Sequence, residues 1–569
     1  MNLLPQVKKM EIKEGFLTKK YIAPYCEDID YRLKKAIDKL PVGEDGAKLV
    51  VNTCGTDSEE YTLEISADTI TITSQGLNGA FYGIQTLRQI LREDTVPCLF
   101  ISDAPDFGHR GLYHDITRGK IPKLETLKKL IDDMAYYKLN SFQLYVEHVF
   151  EFEETKELIK KTGYITKEEI TELDEYCHEN FIEFIPSIAT FGHMYEILEQ
   201  ERYKHLRLCQ NVKNPENFWR ARMAHHTIDP RNDESYELVK SLIEQYEPLF
   251  RSDKFNICGD ETFDLENYGG DVDPGKLYVD FIQKIIGVVK AKNKKVMMWA
   301  DILLKHPETL EFLPDDIYYL NWDYAAQPRE ENIVKLAETG KKQIVCPGTG
   351  TWSRFCENVE VEEKNISRMI EYGYKHGAMG VLNTNWGDFA NPASIELAMY
   401  GIVLGAAKSW AVDTKIDDEF YNAVNSLVYG DSNAVSYLKR ISAAHTSISK
   451  NWNLICSKYF EVKHGRDMTL NTPLDMSGIP TAQRETLAVI NELREQTWKN
   501  DEYREEMLLC AESIYVLAQI AAKLFGGEAE NTISMREWIE KYKTMWLLKN
   551  KESEISKIEE MVLYIADNL

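Results

Sequence analysis

The chain has 569 residues, 44% of them hydrophobic, which is enough apolar material for a large core, so intrinsic disorder is excluded and two or three domains are expected. Lys and Arg number 67 against 92 Asp and Glu, and the net charge of −25 repels phosphate backbones and anionic membranes, which argues against a nucleic-acid partner. Residues 1–10 hold no apolar core of signal-peptide length, and charges or prolines interrupt the longer apolar runs, so a cytoplasmic protein that spans no membrane is expected.

The ten cysteines are scattered singly, with no CxxC pair, which predicts free thiols and no zinc knuckle. Over the first hundred residues, Tyr61, Leu63 and Ile65 alternate with polar residues, Ala67-Asp68 makes a turn, and Ile70 and Ile72 resume the alternation. This predicts a hairpin, followed by a helix carrying Ile84, Leu87 and Leu91. Residues 1–105 are read as a small α/β domain.

From Arg110 the rhythm changes to short apolar runs separated by amphipathic stretches. The runs are GLYHDI (111–116), SFQLYV (141–146), FIEFIPSI (181–188), KFNICG (254–259), KVMMWA (295–300), IYYLNW (317–322), QIVCPG (343–348) and AMGVLNTNW (378–386). Eight strand and helix units over residues 106–408 predict an α/β fold, a (β/α)8 TIM barrel. A doubly wound sheet is the rival, but the chain has neither GxGxxG nor GxxxxGK[ST]. The long third gap holds His205, His225 and His226, read as a solvated loop because no partners stand at ligand spacing. Residues 409–569 are read as an all-helical C-terminal domain, with Met507, Cys510, Ile514, Leu517, Ala521 and Leu524 forming a stripe that packs on the barrel or on itself.

Barrel enzymes carry their chemistry at the C-terminal ends of the strands. Here the first run ends in Asp115, Thr117 and Arg118, the second in Glu147-His148, the third in Gly192-His193 and the fourth in Asp260-Glu261. The fifth to eighth reach Trp299 and Asp301, Trp322 and Tyr324, Trp352, and Trp386 and Asp388. Indoles stack on the C–H faces of sugar rings while acids and Arg take the hydroxyls, so this pattern reads as a monosaccharide pocket. Adjacent side chains on a strand point to opposite faces, so Asp260 and Glu261 share a pocket only if the strand ends there, which Gly259 permits. Two acids in a sugar pocket point to glycosidic cleavage; a solvated helix N-terminus is the competing reading. Cys258 is read as a small packed strand residue.

Several motifs, in order, resemble the β-N-acetylhexosaminidases of glycoside hydrolase family 20: LNGAFYGIQTLRQIL before the barrel, HRGLYHDITRG on the first strand, FGHM after the third, GDET at the fourth, MMWAD at the fifth and NWGD at the eighth. The resemblance covers roughly residues 1–400. It implies substrate-assisted retention, in which the 2-acetamido oxygen attacks the anomeric carbon, with Glu261 as general acid and base and Asp260 orienting the acetamido group. It further implies that Arg110 and Asp388 bind sugar hydroxyls, that Trp299, Trp322 and Trp386 line the pocket, and that His193 supports the site with Glu147 or His148. Two places depart from the family pattern: VEH on the second strand, and GTGTWSRF on the seventh, where a Tyr that bonds the acetamido oxygen often sits. Either Tyr324 supplies that hydroxyl or Trp352 replaces the contact. No metal and no organic cofactor are expected; the expected partner is a short oligosaccharide or glycoside entering a small closed pocket, and a homodimer is an open possibility for the helical tail. A barrel glycosidase acting on a disaccharide unit or another β-glycoside, a non-catalytic carbohydrate-binding barrel and metal-dependent hydrolysis are the alternatives weighed.

Overall fold

In the computed structural model, which describes residues 1–19, 21–24, 29–210, 218–223, 227–268, 270, 272–449, 452–465 and 475–569, the chain opens with a six-stranded mixed sheet. Its strands are β1 (Lys9–Phe16), β2 (Ile22–Pro24), β3 (Ala47–Thr56), β4 (Tyr61–Ile65), β5 (Thr69–Gly76) and β6 (Pro97–Asp103), in the order β1-β6-β4-β5-β3-β2. The alternating residues form the expected hairpin, with Leu63 opposite Ile72 and Ile65 opposite Ile70. The helix Leu77–Ile90 buries Ile84 and Leu87 against this sheet.

All eight runs become strands of one parallel sheet: β7 (His109–Asp115), β8 (Ser141–Tyr145), β9 (Glu183–Phe184), β10 (Lys254–Asn256), β11 (Lys295–Trp299), β12 (Tyr318–Trp322), β13 (Lys342–Cys346) and β14 (Gly380–Asn385). The sheet order runs β10-β11-β12-β13-β14-β7-β8-β9, and a bridge between Ser187 and Asn256 joins its two edges into a barrel. The strands at that seam, β9 and β10, are the shortest, and the chain beyond each leaves regular strand geometry early. Amphipathic helices such as Leu124–Tyr136 and Val359–Lys375 turn their apolar faces inward around the ring, as the βαβ alternation requires.

Beyond the helix Met399–Trp410 the described residues are helical to the C-terminus. The helix Asp501–Phe525 buries the whole Met507-to-Leu524 stripe and ends at Gly526, whose φ of 76° is the left-handed cap that lets the chain turn. Contrary to the sequence expectation, this helix is long and apolar enough to cross a membrane, yet 89% of its most apolar window is buried inside the protein. The acids that interrupt it, Glu506 and Glu512, are themselves buried and paired with Lys549 (2.6 Å) and Lys541 (2.8 Å).

Candidate active site

Past the end of β10 the backbone departs from extended geometry: Cys258, Gly259 and Glu261 all have positive φ, 54°, 81° and 50°. Conformations of this kind cost about 1–3 kcal/mol at a non-glycine residue and cluster at functional sites. Their effect here is to break the strand's alternation, so that Asp260 and Glu261 line one cavity. Cys258 packs just past the strand end and not within it, fully buried beside Tyr113 and Ser187, and burial with the Asp260 charge pushes its thiol up to about 12.

His193, at φ 58° in the loop after β9, stands between the two acids, with Nε2 3.3 Å from Asp260 Oδ2 and 3.4 Å from Glu261 Oε2. Burial disfavours its imidazolium, but the Asp260 charge and hydrogen bonds to both carboxylates outweigh that, and its pKa is pushed up to about 10. The backbone N–H of Glu261 donates to Asp301 Oδ2 at 3.0 Å. Burial and the neighbouring Asp260 charge push Asp301 up to about 7.

Arg118 completes the charged side of the cavity. Its guanidinium is bonded to Asp115 (3.0 Å), lies 3.2 Å from Glu147 and 3.8 Å from Asp388, and stacks over Tyr145 and Trp386. The pocket walls push Asp388 up to about 6 by excluding water, against the pull of Arg118. Trp299, Trp322, Trp352 and Trp386 line the cavity together with Tyr324, and the space enclosed holds about 180 Å³. Trp322 stacks on Tyr324 with ring centres 5.1 Å apart, and Trp386 Nε1 donates to the Tyr324 hydroxyl at 2.7 Å, with the Thr384 side chain as a second neighbour of that hydroxyl.

Asp260, Glu261, His193, Trp299, Trp322, Tyr324, Trp352, Trp386 and Asp388 are thus brought together. Arg110 is not. It lies at the opposite end of β7, fully buried, where it pairs with Glu59 of the N-terminal sheet region at 2.8 Å and donates to the carbonyls of Phe107 and Lys138. The arginine of the pocket is Arg118, because β7 begins at His109 and ends at Asp115, so Arg118 follows its C-terminal end. Glu147 stands as a support beside His193 and not as a substrate-binding residue: only 3% exposed, it sits behind Arg118, 3.8 Å from His193 Nδ1, and does not line the cavity. His148 is buried beside it and burial lowers its pKa to about 4.

Arg118 and Asp301 stand at strand ends and are named there from the sequence without a role, whereas Met223, which reaches the cavity from the helix Phe218–Met223 of the long third loop, gave no signal in its residue type and was missed. In the same loop His205 is exposed beside Glu234 at 2.8 Å, while His225 and His226 lie outside the described residues. Among the described residues, His193, Asp260 and Glu261 form a group with potential metal ligands within 4.8 Å of one another. Without a cation between them, the two carboxylates favour the charged form of the imidazole, so His193 serves them as a counter-ion.

Two family models match the chain: "Glycosyl hydrolase family 20, catalytic domain" over residues 107–411 and "Glycosyl hydrolase family 20, domain 2" over residues 3–104. A beta-hexosaminidase of Porphyromonas gingivalis is 27% identical over 286 residues, 43% of this chain and 36% of that protein. A lacto-N-biosidase of Bifidobacterium bifidum is 24% identical over 358 residues, 60% of this chain and 29% of that protein. The chain therefore spans about a third of the length of these curated relatives. In three dimensions, a chitobiase of Flavobacterium johnsoniae superposes with a TM-score of 0.62 at 18% identity, covering 99% of both chains, a likeness of fold.

Proposed function

The chain belongs to glycosyl hydrolase family 20, and from that premise we propose that it is an exo-acting, retaining β-N-acetylhexosaminidase that removes terminal β-linked N-acetylglucosamine or N-acetylgalactosamine from short oligosaccharides or glycoconjugates. The observation that carries this reading is the pairing of Asp260 and Glu261 at the end of one strand inside an aromatic-walled cavity of single-sugar scale.

In this mechanism Glu261 protonates the departing glycosidic oxygen while the substrate's acetamido oxygen attacks the anomeric carbon and forms an oxazolinium ion. Asp260 orients the acetamido N–H and balances the charge that develops on it. His193, charged between the two acids, holds their relative geometry. The Tyr324 hydroxyl, itself receiving the Trp386 indole N–H, donates to the acetamido oxygen. Arg118 and Asp388 take the outer hydroxyls and the tryptophans pack on the ring. After the aglycone leaves, Glu261 acts as base for the water that opens the oxazolinium.

Release of chromophore from an aryl β-N-acetylglucosaminide tests the proposal. Glu261→Gln should lower kcat by about 10²–10⁴, the usual worth of a general acid, and the wild type should fail on the matching glucoside, which has no acetamido oxygen. Normal turnover by Glu261→Gln, or cleavage of both glycosides alike, would overturn it.

A further inference from the structure

Among the contacts of the C-terminal helices with the catalytic face of the barrel is a buried carboxylate. Glu554, at the start of the helix Ile555–Asn568, is 2% exposed. Its Oε1 accepts from Arg222 Nη2 at 2.8 Å and from Lys557 Nζ at 3.1 Å, and its Oε2 accepts from Trp219 Nε1 at 3.3 Å. Trp219 and Arg222 both belong to the short helix Phe218–Met223, whose last residue lines the cavity. Arg222 in turn is bonded to Glu196, and its Nη1 lies 3.5 Å from the carbonyl of Thr117, the residue before Arg118.

The backbone of Glu554 grips the other side of that loop. Its N–H donates to Gly119 O at 3.1 Å, the residue after Arg118. Gly119 has φ 92°, and a Cβ there would lie 2.7 Å from Glu554 Oε2, so glycine is needed both for its conformation and for the carboxylate's approach. The contact continues as a short antiparallel seam, with Ile121 N–H on Ser553 Oγ, Lys551 N–H on Ile121 O and Lys123 N–H on Lys549 O.

We propose that Glu554 is a positioning residue of the pocket: from the C-terminal helices it fixes the loop that carries Arg118 and the helix that carries Met223, and so sets the shape of the sugar-binding wall. This rests on the activity proposed above. Burial opposes the charge on Glu554, yet Arg222 and Lys557 hold its carboxyl down at about 2, so it stays ionised and bound to that loop at working pH. A group that only glued two regions together would change stability alone; one that shapes the pocket changes how substrate is held.

Glu554→Gln keeps the size of the side chain and removes its charge. Because hydrogen bonds to charged groups are each worth about a tenfold factor or more, the variant should raise KM for the aryl N-acetylglucosaminide about tenfold while kcat stays within about threefold. Amide hydrogen exchange should quicken in residues 117–123 and 218–223 and stay unchanged in Asp501–Phe525. Trp219→Phe, which removes the indole N–H from Oε2 along with part of a buried ring but leaves Arg222 and Lys557 on the carboxylate, should move both readouts in the same direction, and it carries the test if Glu554→Gln does not fold. If the folded variant keeps the wild-type KM and the wild-type exchange in both segments, the positioning role is wrong. Should the wild type cleave no N-acetylhexosaminide, the proposed activity fails instead, and exchange still decides the role of Glu554.

Discussion

Arg110 and Arg118 stand at the two ends of the first barrel strand, and the difference in what each touches decides what each does. Arg110 bonds Glu59, Phe107 and Lys138 between the barrel and the N-terminal sheet, with Tyr82 and Trp410 stacked on its guanidinium. Arg118 faces the cavity among Asp115, Glu147 and Asp388. A lysine cannot reproduce either planar fork. Arg110→Lys should lose about 2 kcal/mol of stability through its missing hydrogen bonds and leave the kinetics of the folded enzyme as they were. Arg118→Lys should instead lower kcat/KM by at least about tenfold, since the misplaced charge no longer meets the substrate. Thermal unfolding and steady-state kinetics on the two variants separate these outcomes, and the same kinetic loss in both would contradict the assignment. Both residues lie in the motif HRGLYHDITRG, whose register along the strand was legible; which of the two meets the cavity was not, since the resemblance pointed to Arg110.

At the scale of elements, the shape of the cavity depends on two strands that end early. β9 and β10 run only two and three residues, and the loops beyond them bring Gly192-His193 against Asp260-Glu261. A Cβ at Gly192 would sit 2.4 Å from the Asp260 carbonyl oxygen. Gly192→Ala must therefore push the two loops apart, and because a shift of about 1 Å at an active site can cost about 100-fold, kcat should fall at least tenfold even where the variant still folds. Circular dichroism with an activity assay checks this; near-normal kcat would mean that the loops can yield without moving the acids. All eight strands were legible as apolar runs, and so were the hairpin before them and the helical stripe after them, because each is written in local periodicity. The lengths of β9 and β10 were not, since where a ladder stops depends on its neighbours in the sheet.

At the scale of the whole molecule, buried acids lie where helices meet. Glu357 and Glu362 are fully buried next to each other, where the helix Val359–Lys375 meets the helix Met399–Trp410, with Gly401 N–H on Glu357 at 2.9 Å. Burial raises Glu357 well above the ordinary carboxylate range, and burial together with Glu357 raises Glu362 likewise. Acids raised on folding add stability below the unfolded-chain value, about 4.3 for Glu, and that stability is lost as pH rises toward their folded pKa. Glu362→Gln, which keeps a proton donor in place at every pH, should therefore gain in unfolding temperature relative to the wild type as pH rises from 5 to 8. An equal difference at both ends of that range would show that the pair does not titrate with folding.

The sequence by itself determined the order of elements, the barrel, the helical tail and the identity of the paired acids, because each follows from spacing along the chain and from the rule that barrel chemistry gathers at strand ends. Only the tertiary structure decided that Arg118 and not Arg110 faces the cavity, that Glu147 lies behind the wall, and that Glu554 reaches Arg222 across 332 residues of chain. Spacing carries information about neighbours in sequence, whereas these contacts arise where distant loops meet on one face of the barrel, and only the closed ring fixes which of them meet.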